Sequence, residues 1–268
     1  GYIWGAVGID NVPCAMDCSF CSLGSKWGIV KGEHIISDEE VLDIARTYVM
    51  KGASFITLRT TEFFDLDRLC ELARFVYEGA PGDYDLVVNT GELTVEQANA
   101  LYDCGVRVAY HVLRLREGED TPFDPEVRKA TMRSIAASKL RLATNLEPVA
   151  AWHTGEELAD RLEFLNEVRP YICGAGELWP VPGTPFENSV RTPVERMCQV
   201  VAVVRLCMSC DTPILCGPKT QEGFSSGANL ACLDIGANPR DTTMRGRSEN
   251  LQIIGDAKTA FAEAGYRL

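Results

Sequence analysis

Short apolar runs alternate with longer amphipathic stretches along all 268 residues, and that alternation restricts the chain to an α/β architecture. The apolar runs fall at residues 3–9, 54–59, 85–89, 106–113, 140–149, 172–179, 213–216 and 230–235. Helix starts are written into the gaps between them. Ser37 with Glu40, Thr94 with Gln97, and Thr154 with Glu157 stand three apart, the spacing at which two free amide groups are satisfied reciprocally. Asp124-Pro125 puts proline at a first helical position, and Thr192-Pro193-Val194-Glu195 caps a long helix. Gly52 and Gly105 end two helices, another covers about residues 67–77, and a last one runs to about residue 265. Eight strand-then-helix units with short connections imply a single-domain (β/α)8 TIM-type barrel over residues 1–268. No low-complexity linker or composition break divides it.

Within this frame, Cys14-Ala15-Met16-Asp17-Cys18-Ser19-Phe20-Cys21 follows the first strand directly, at the end where such barrels place their chemistry. Three thiolates from one short loop can hold three corners of a cubane iron–sulfur cluster and leave one iron open to a small molecule. The bland alternatives are a disulfide with a spare thiol, or a zinc site completed by a histidine such as His34. Charge narrows the partners: 38 Asp+Glu against 26 Lys+Arg disfavours tRNA or DNA, which clustered cations would bind. No long charge-free apolar run indicates a membrane span, and the first residues read as no signal peptide. Eleven cysteines without a disulfide-like framework point to a reducing, cytoplasmic setting.

The spacing of Cys14, Cys18 and Cys21, with an aromatic immediately before the third, resembles the signature of the radical S-adenosylmethionine superfamily. That resemblance implies a [4Fe-4S] cluster on these three ligands, its unique iron chelating the amino and carboxylate groups of S-adenosylmethionine. Reductive cleavage then yields a 5′-deoxyadenosyl radical that abstracts hydrogen from a small-molecule substrate, with flavodoxin or ferredoxin as the electron donor. Phe20 would pack near the adenine. Arg59-Thr60-Thr61-Glu62 is similar to the segment that binds the methionyl amino group in relatives, so Glu62 would meet an ammonium by a charge-assisted hydrogen bond. Tyr110-His111-Val112-Leu113-Arg114-Leu115-Arg116-Glu117 resembles the Leu-Leu-Arg-x-Glu segment of the FeFe-hydrogenase maturase and methylornithine synthase. Arg114 matches the arginine there, with Arg116 and Arg133 as further candidates for the carboxylate.

Trp179-Pro180-Val181-Pro182-Gly183-Thr184-Pro185 and Ser226-Gly227-Ala228-Asn229 resemble segments of biotin-synthase-like proteins, and residues from about 190 to 268 resemble their biotin/thiamin-synthesis-associated region. The likeness implies a carbon-skeleton rearrangement, such as methylornithine synthesis, or cofactor maturation. One departure weighs against sulfur insertion of the biotin or lipoyl type. By ungapped matching, Thr57, Val87 and Ala143 occupy the places of the cysteines that hold biotin synthase's second cluster. Cys198, Cys207, Cys210 and Cys216 form an alternative group for an auxiliary cluster, although helix burial also accounts for their spacing. A non-catalytic metal-binding scaffold is the reading from another class. Polar residues at strand ends, His111, Asn145, Glu147, Glu177, Lys219 and Asp234, with Cys216, are the expected contacts for a polar small substrate.

Overall fold

The computed structural model describes residues 1–217 and 220–267, the side chains of 247–253 excepted. β1 (Tyr2–Gly8) leads into a short ribbon in which β2 (Asp10–Asn11) pairs antiparallel with β3 (His34–Ile35). Then follow α1 (Asp38–Met50), β4 (Phe55–Arg59), α2 (Leu66–Gly79), β5 (Asp85–Asn89), α3 (Val95–Asp103), β6 (Val108–Tyr110) and α4 (Pro125–Ala137). The second half holds β7 (Arg141–Ala143), β8 (Leu146–Val149), α5 (Gly155–Val168), β9 (Cys173–Glu177) and α6 (Val194–Cys207). It closes with β10 (Ile214–Cys216), α7 (Gln221–Ser225), β11 (Leu230–Gly236) and α8 (Arg247–Glu263).

Nine parallel strands form one sheet in the order β7-β6-β5-β4-β1-β11-β10-β9-β8. The sheet curls. Trp4, Phe55, Val87, Val108, Ala143, Ile172 and Leu230 pack together as one inner cluster. In a flat sheet β7 and β11 would stand five strand spacings apart, about 24 Å, too far for Ala143 and Leu230 to share it. Side chains alternate between the faces with the strand period of two. Ile3, Val7, Ile56, Leu58, Leu86, Val88 and Leu233 point outward into the main core beneath the helices. Among the described residues, no helix is long and apolar enough to cross a membrane.

The helix starts follow the local chemistry of their caps. Ser37, Thr94, Asp124 and Thr154 each accept from a first-turn amide, and the reciprocal glutamine or glutamate bond is present at Thr94 and Thr154. Thr192 does not cap α6. Its hydroxyl donates instead to the Val149 carbonyl, and Pro193 takes the cap position.

Several expected strands are shorter than the apolar runs that announce them, and two depart most. The run 106–113 yields only Val108–Tyr110, and the run 140–149 divides into β7 and β8 around Thr144 and Asn145. Pairing sets these ends, not apolarity: the register shifts between Leu146 and Val149. Backbone bonds nevertheless bring the stretch before β9 alongside β7. Tyr171 N–H donates to Leu142 O at 2.8 Å, and Thr144 N–H to Ile172 O at 3.0 Å.

At the other end of β1, Gly8 is required by close approach. A Cβ there would lie 1.9 Å from the Ala237 carbonyl oxygen, because the chain leaving β11 crosses directly over it. That crossing brings residues 237–240 against the cysteine loop, where Ser22 N–H donates to Pro239 O at 2.8 Å.

Candidate active site

The loop from Cys14 to Cys21 is fastened by its backbone on several sides. Cys14 N–H donates to Leu23 O at 2.7 Å, Ser25 N–H to Cys14 O at 3.0 Å, and Ser19 N–H to Asp120 O at 2.9 Å. Asp17 takes a left-handed conformation (φ 46°), and its carboxylate accepts from Ser25 Oγ and Lys26 N–H, both at 2.9 Å. All three thiols line one pocket of about 780 Å³, together with Thr61, Glu62, Arg114 and Arg128. Burial pushes the Cys18 thiol up to about 12 and the Cys21 thiol up to about 11, with Arg114 opposing in both cases. Thiolates here therefore need a bound cation to exist at neutral pH. Among the described residues, no three His, Cys, Asp or Glu side chains are already gathered at metal-ligand spacing. The donor set still fits a cluster with one open corner. It provides three soft sulfur ligands on a tied-down loop, and no fourth cysteine lines this pocket among the described residues.

Glu62 follows β4 into the pocket, and its carboxylate accepts from Arg128 Nη2 at 3.2 Å. Arg128 is a hub. Its Nη1 stands 3.1 Å from Glu92 Oε1 and 3.0 Å from His111 Nε2, and its guanidinium stacks 3.4 Å from the Phe123 ring centroid. Arg128 is 3% exposed. Burial, opposed by Arg128, raises the Glu62 carboxyl. Burial also pushes Glu92 up, but hydrogen bonds from His111 and Thr131 and the charge of Arg128 outweigh it and hold the carboxyl at about 2. Burial lowers His111, which lies within this network rather than in an open substrate chamber.

Arg114 lines both this pocket and the chamber beneath it, near Phe20 (5.8 Å) and Phe123 (6.0 Å). Two other expected arginines stand elsewhere. Arg116, in a left-handed conformation (φ 55°), turns outward to pair with Glu119 at 2.5 Å. Arg133 pairs with Glu167 at 2.8 Å on the outer helical layer. The reason is helix direction: α4 runs away from the site, so Arg128 in its first turn stays at the rim. Arg133 lies about 7.5 Å further along the axis. The Asp124 cap fixes where α4 starts, and counting from it was the available signal for Arg128.

Beneath the loop lies a cavity of about 1050 Å³, abutting the first pocket through shared walls at Cys18, Cys21, Arg59, Asn89, Tyr110 and Arg114. Asn145, Glu147, Glu177 and Asp234 line it, and Phe20 does too. Arg59 binds Asp234 at 2.5 Å and also reaches the Ala237 carbonyl. Arg191 pairs with Glu177 and stacks 4.0 Å from the Trp179 ring centroid. Tyr110, Trp4, Arg59 and Arg240 are cavity residues that the sequence did not single out. Trp4, Arg59 and Tyr110 occupy inward rows of their strands, which periodicity could have shown once the face was known.

Cys216 faces the other way. Leu215 is the inward residue of β10, while Cys216, 1% exposed, packs outward in the main core, where burial pushes its thiol up to about 12. A one-residue difference in register turns a side chain to the opposite face. Cys207 and Cys210 are exposed, so Cys198, Cys207, Cys210 and Cys216 do not gather in one environment. Lys219 lies outside the described residues.

The chain matches no protein-family profile. A biotin synthase from Nitratidesulfovibrio vulgaris (strain DP4) is 25% identical over 276 residues, covering 93% of this chain and 72% of the relative. Among solved structures, a maturase of the FeFe-hydrogenase superposes with a TM-score of 0.77 at 14% identity, over 95% of this chain and 63% of that one. Methylornithine synthase gives a TM-score of 0.75 at 15% identity, over 91% of this chain and 74% of its own. The chain thus spans just under two thirds of the maturase and about three quarters of the synthase.

Proposed function

We propose that this chain, a member of the biotin-synthase-like branch of the radical S-adenosylmethionine enzymes, binds a [4Fe-4S] cluster through Cys14, Cys18 and Cys21 and acts on a small substrate in its inner cavity. The observation that carries this reading is the shared wall. The pocket lined by the three thiols, Glu62 and Arg128 shares Arg114, Tyr110 and Asn89 with the inner cavity. When bound, the cluster and S-adenosylmethionine would supply a 5′-deoxyadenosyl radical able to take a hydrogen atom from the substrate. The chain's own work is binding and shielding. Glu62 would accept from the methionyl ammonium, while Arg114 and Arg128 offer guanidinium groups for the carboxylate. Arg128 Nε has no protein partner among the described residues, which leaves it a donor to give. The buried walls exclude water around reactive species.

A carbon-skeleton rearrangement or a cofactor-maturation step fits this cavity better than sulfur insertion. Thr57 is occupied by the Trp4 indole N–H, and Val87 and Ala143 are packed in the inner cluster. Cys232 is the single thiol that joins Cys18 and Cys21 in the cavity among the described residues. In this reading β7 and β8 count as two halves of one strand, and the sheet works as a closed eight-unit barrel, with the region from about residue 190 completing it. Flavodoxin or ferredoxin would deliver the electron in a reducing, cytoplasmic setting. Anaerobic reconstitution tests the proposal. We expect about four irons per chain and release of 5′-deoxyadenosine under dithionite, both lost on Cys18→Ala. Distinctly more than four irons would favour sulfur insertion, and no 5′-deoxyadenosine would refute the reading.

A further inference from the structure

Among the described residues, the inner cavity holds one carboxylate that no cation pairs directly. Asp234 is bound by Arg59, and Glu177 by Arg191. Glu147 lines the same cavity and, among the described residues, makes no ion pair. Arg114 and Arg240, the remaining cations of that wall, act on Glu147 by charge without forming an ion pair to it, and Arg240 lies 3.8 Å from Asp234.

The neighbours of Glu147 sharpen what is missing. Asn145 Nδ2 donates to Tyr110 Oη at 3.0 Å and to Glu147 Oε2 at 3.3 Å. A carboxylate oxygen only accepts, so the amide must present its nitrogen there, and the orientation of Asn145 is settled. The Tyr110 hydroxyl in turn bonds Glu147. Both local donor groups are then used, while Asn145 Oδ1 is buried without a partner among the described residues. Asn145 itself is 2% exposed. A negative charge and an orphaned carbonyl oxygen stand side by side in a cavity wall, and among the described residues they lack a directly bonded cation and an N–H donor.

We propose that Glu147 and Asn145 form the anchoring subsite for a protonated primary amine on the substrate. An ammonium group carries one positive charge and three N–H donors, which matches this excess of acceptors; a hydroxyl would leave the charge unpaired. The subsite deepens the functional reading above and rests on the cavity being the substrate chamber.

The test uses the cluster-reconstituted protein with S-adenosylmethionine, titrated anaerobically by calorimetry with pentylamine, 1-pentanol and pentyltrimethylammonium. Pentylamine should bind saturably and about tenfold or more tighter than pentanol, and Glu147→Gln should abolish that preference. The trimethylated amine, charged but without N–H donors, should bind several-fold more weakly than pentylamine. Glu147→Asp, which keeps the charge, should retain a preference for the amine and guards against a misfolded Gln variant. Equal binding of amine and alcohol, no saturable amine binding, or a preference that survives Glu147→Gln would overturn the subsite. A parallel assay for 5′-deoxyadenosine separates the two ideas. Its absence with the amine preference intact sinks the enzymatic reading alone, and its presence without that preference sinks the subsite alone.

Discussion

Arg128 shows how one side chain can organise a site. Its guanidinium lies against Glu62, Glu92 and His111, and Phe123 covers its face. Remove the cation and two neighbouring carboxylates keep only the bonds of His111 and Thr131 to Glu92 and the charge of Arg114 near Glu62. We therefore expect Arg128→Met to lose about 3 kcal/mol of stability, measured by urea unfolding. Glu92→Gln in the same chain should recover part of that loss, because the remaining network then carries one charge fewer. Additivity of the two substitutions, to within about 0.5 kcal/mol, would show that Glu92 and Arg128 are not coupled. The sequence did not single out Arg128, whereas it did single out Cys14, Cys18, Cys21, Glu62 and Arg114, which line the same pocket. Those five sit in short contiguous segments whose residue types announce their chemistry. Arg128 becomes a site residue only because α4 packs its first turn beside the end of β4.

At the scale of elements, local chemistry was readable and pairing was not. The caps at Ser37, Thr94, Asp124 and Thr154 stand where spacing put them, since a cap is decided within four residues. The ends of β6 and the break between β7 and β8 depend on partners distant in sequence. The turn between β8 and α5 joins both kinds of information and carries a pH dependence. His153 is buried, and its Nδ1 accepts from Ala150 N–H at 2.9 Å, so the neutral ring must carry its proton on Nε2. Burial lowers its folded pKa below the ordinary value of about 6.5. Between the two values the unfolded chain binds the extra proton, so this contribution is present above about pH 6.5 and is lost as the pH falls. His153→Asn cannot titrate there. The wild-type melting temperature should therefore drop further than the variant's between about pH 7.5 and about pH 5.5. Parallel curves would mean that His153 is free to protonate in the folded protein.

For the whole molecule, the question is how the sheet is held between β7 and β9. The eightfold alternation was legible along the chain, but not that its fifth strand divides or how its ends meet. Asn145 and Glu147 reach the cavity from this divided strand, so the closure here also positions the carboxylate that has no ion pair among the described residues. Two backbone bonds span the gap, from Tyr171 N–H to Leu142 O and from Thr144 N–H to Ile172 O. If they complete a barrel, their amides open only when the sheet as a whole opens. They should then exchange hydrogen with solvent at rates within about tenfold of the central β1 amides, such as Val7. If β7 and β9 are merely neighbours across an open seam, these two amides would exchange by local opening, on the order of a thousandfold faster than β1. Native-state exchange resolved at single residues decides between them. We expect protection, because Ala143 and Ile172 share the inner cluster with Trp4 and Leu230, so opening the seam would expose the same apolar layer that the rest of the sheet closes around.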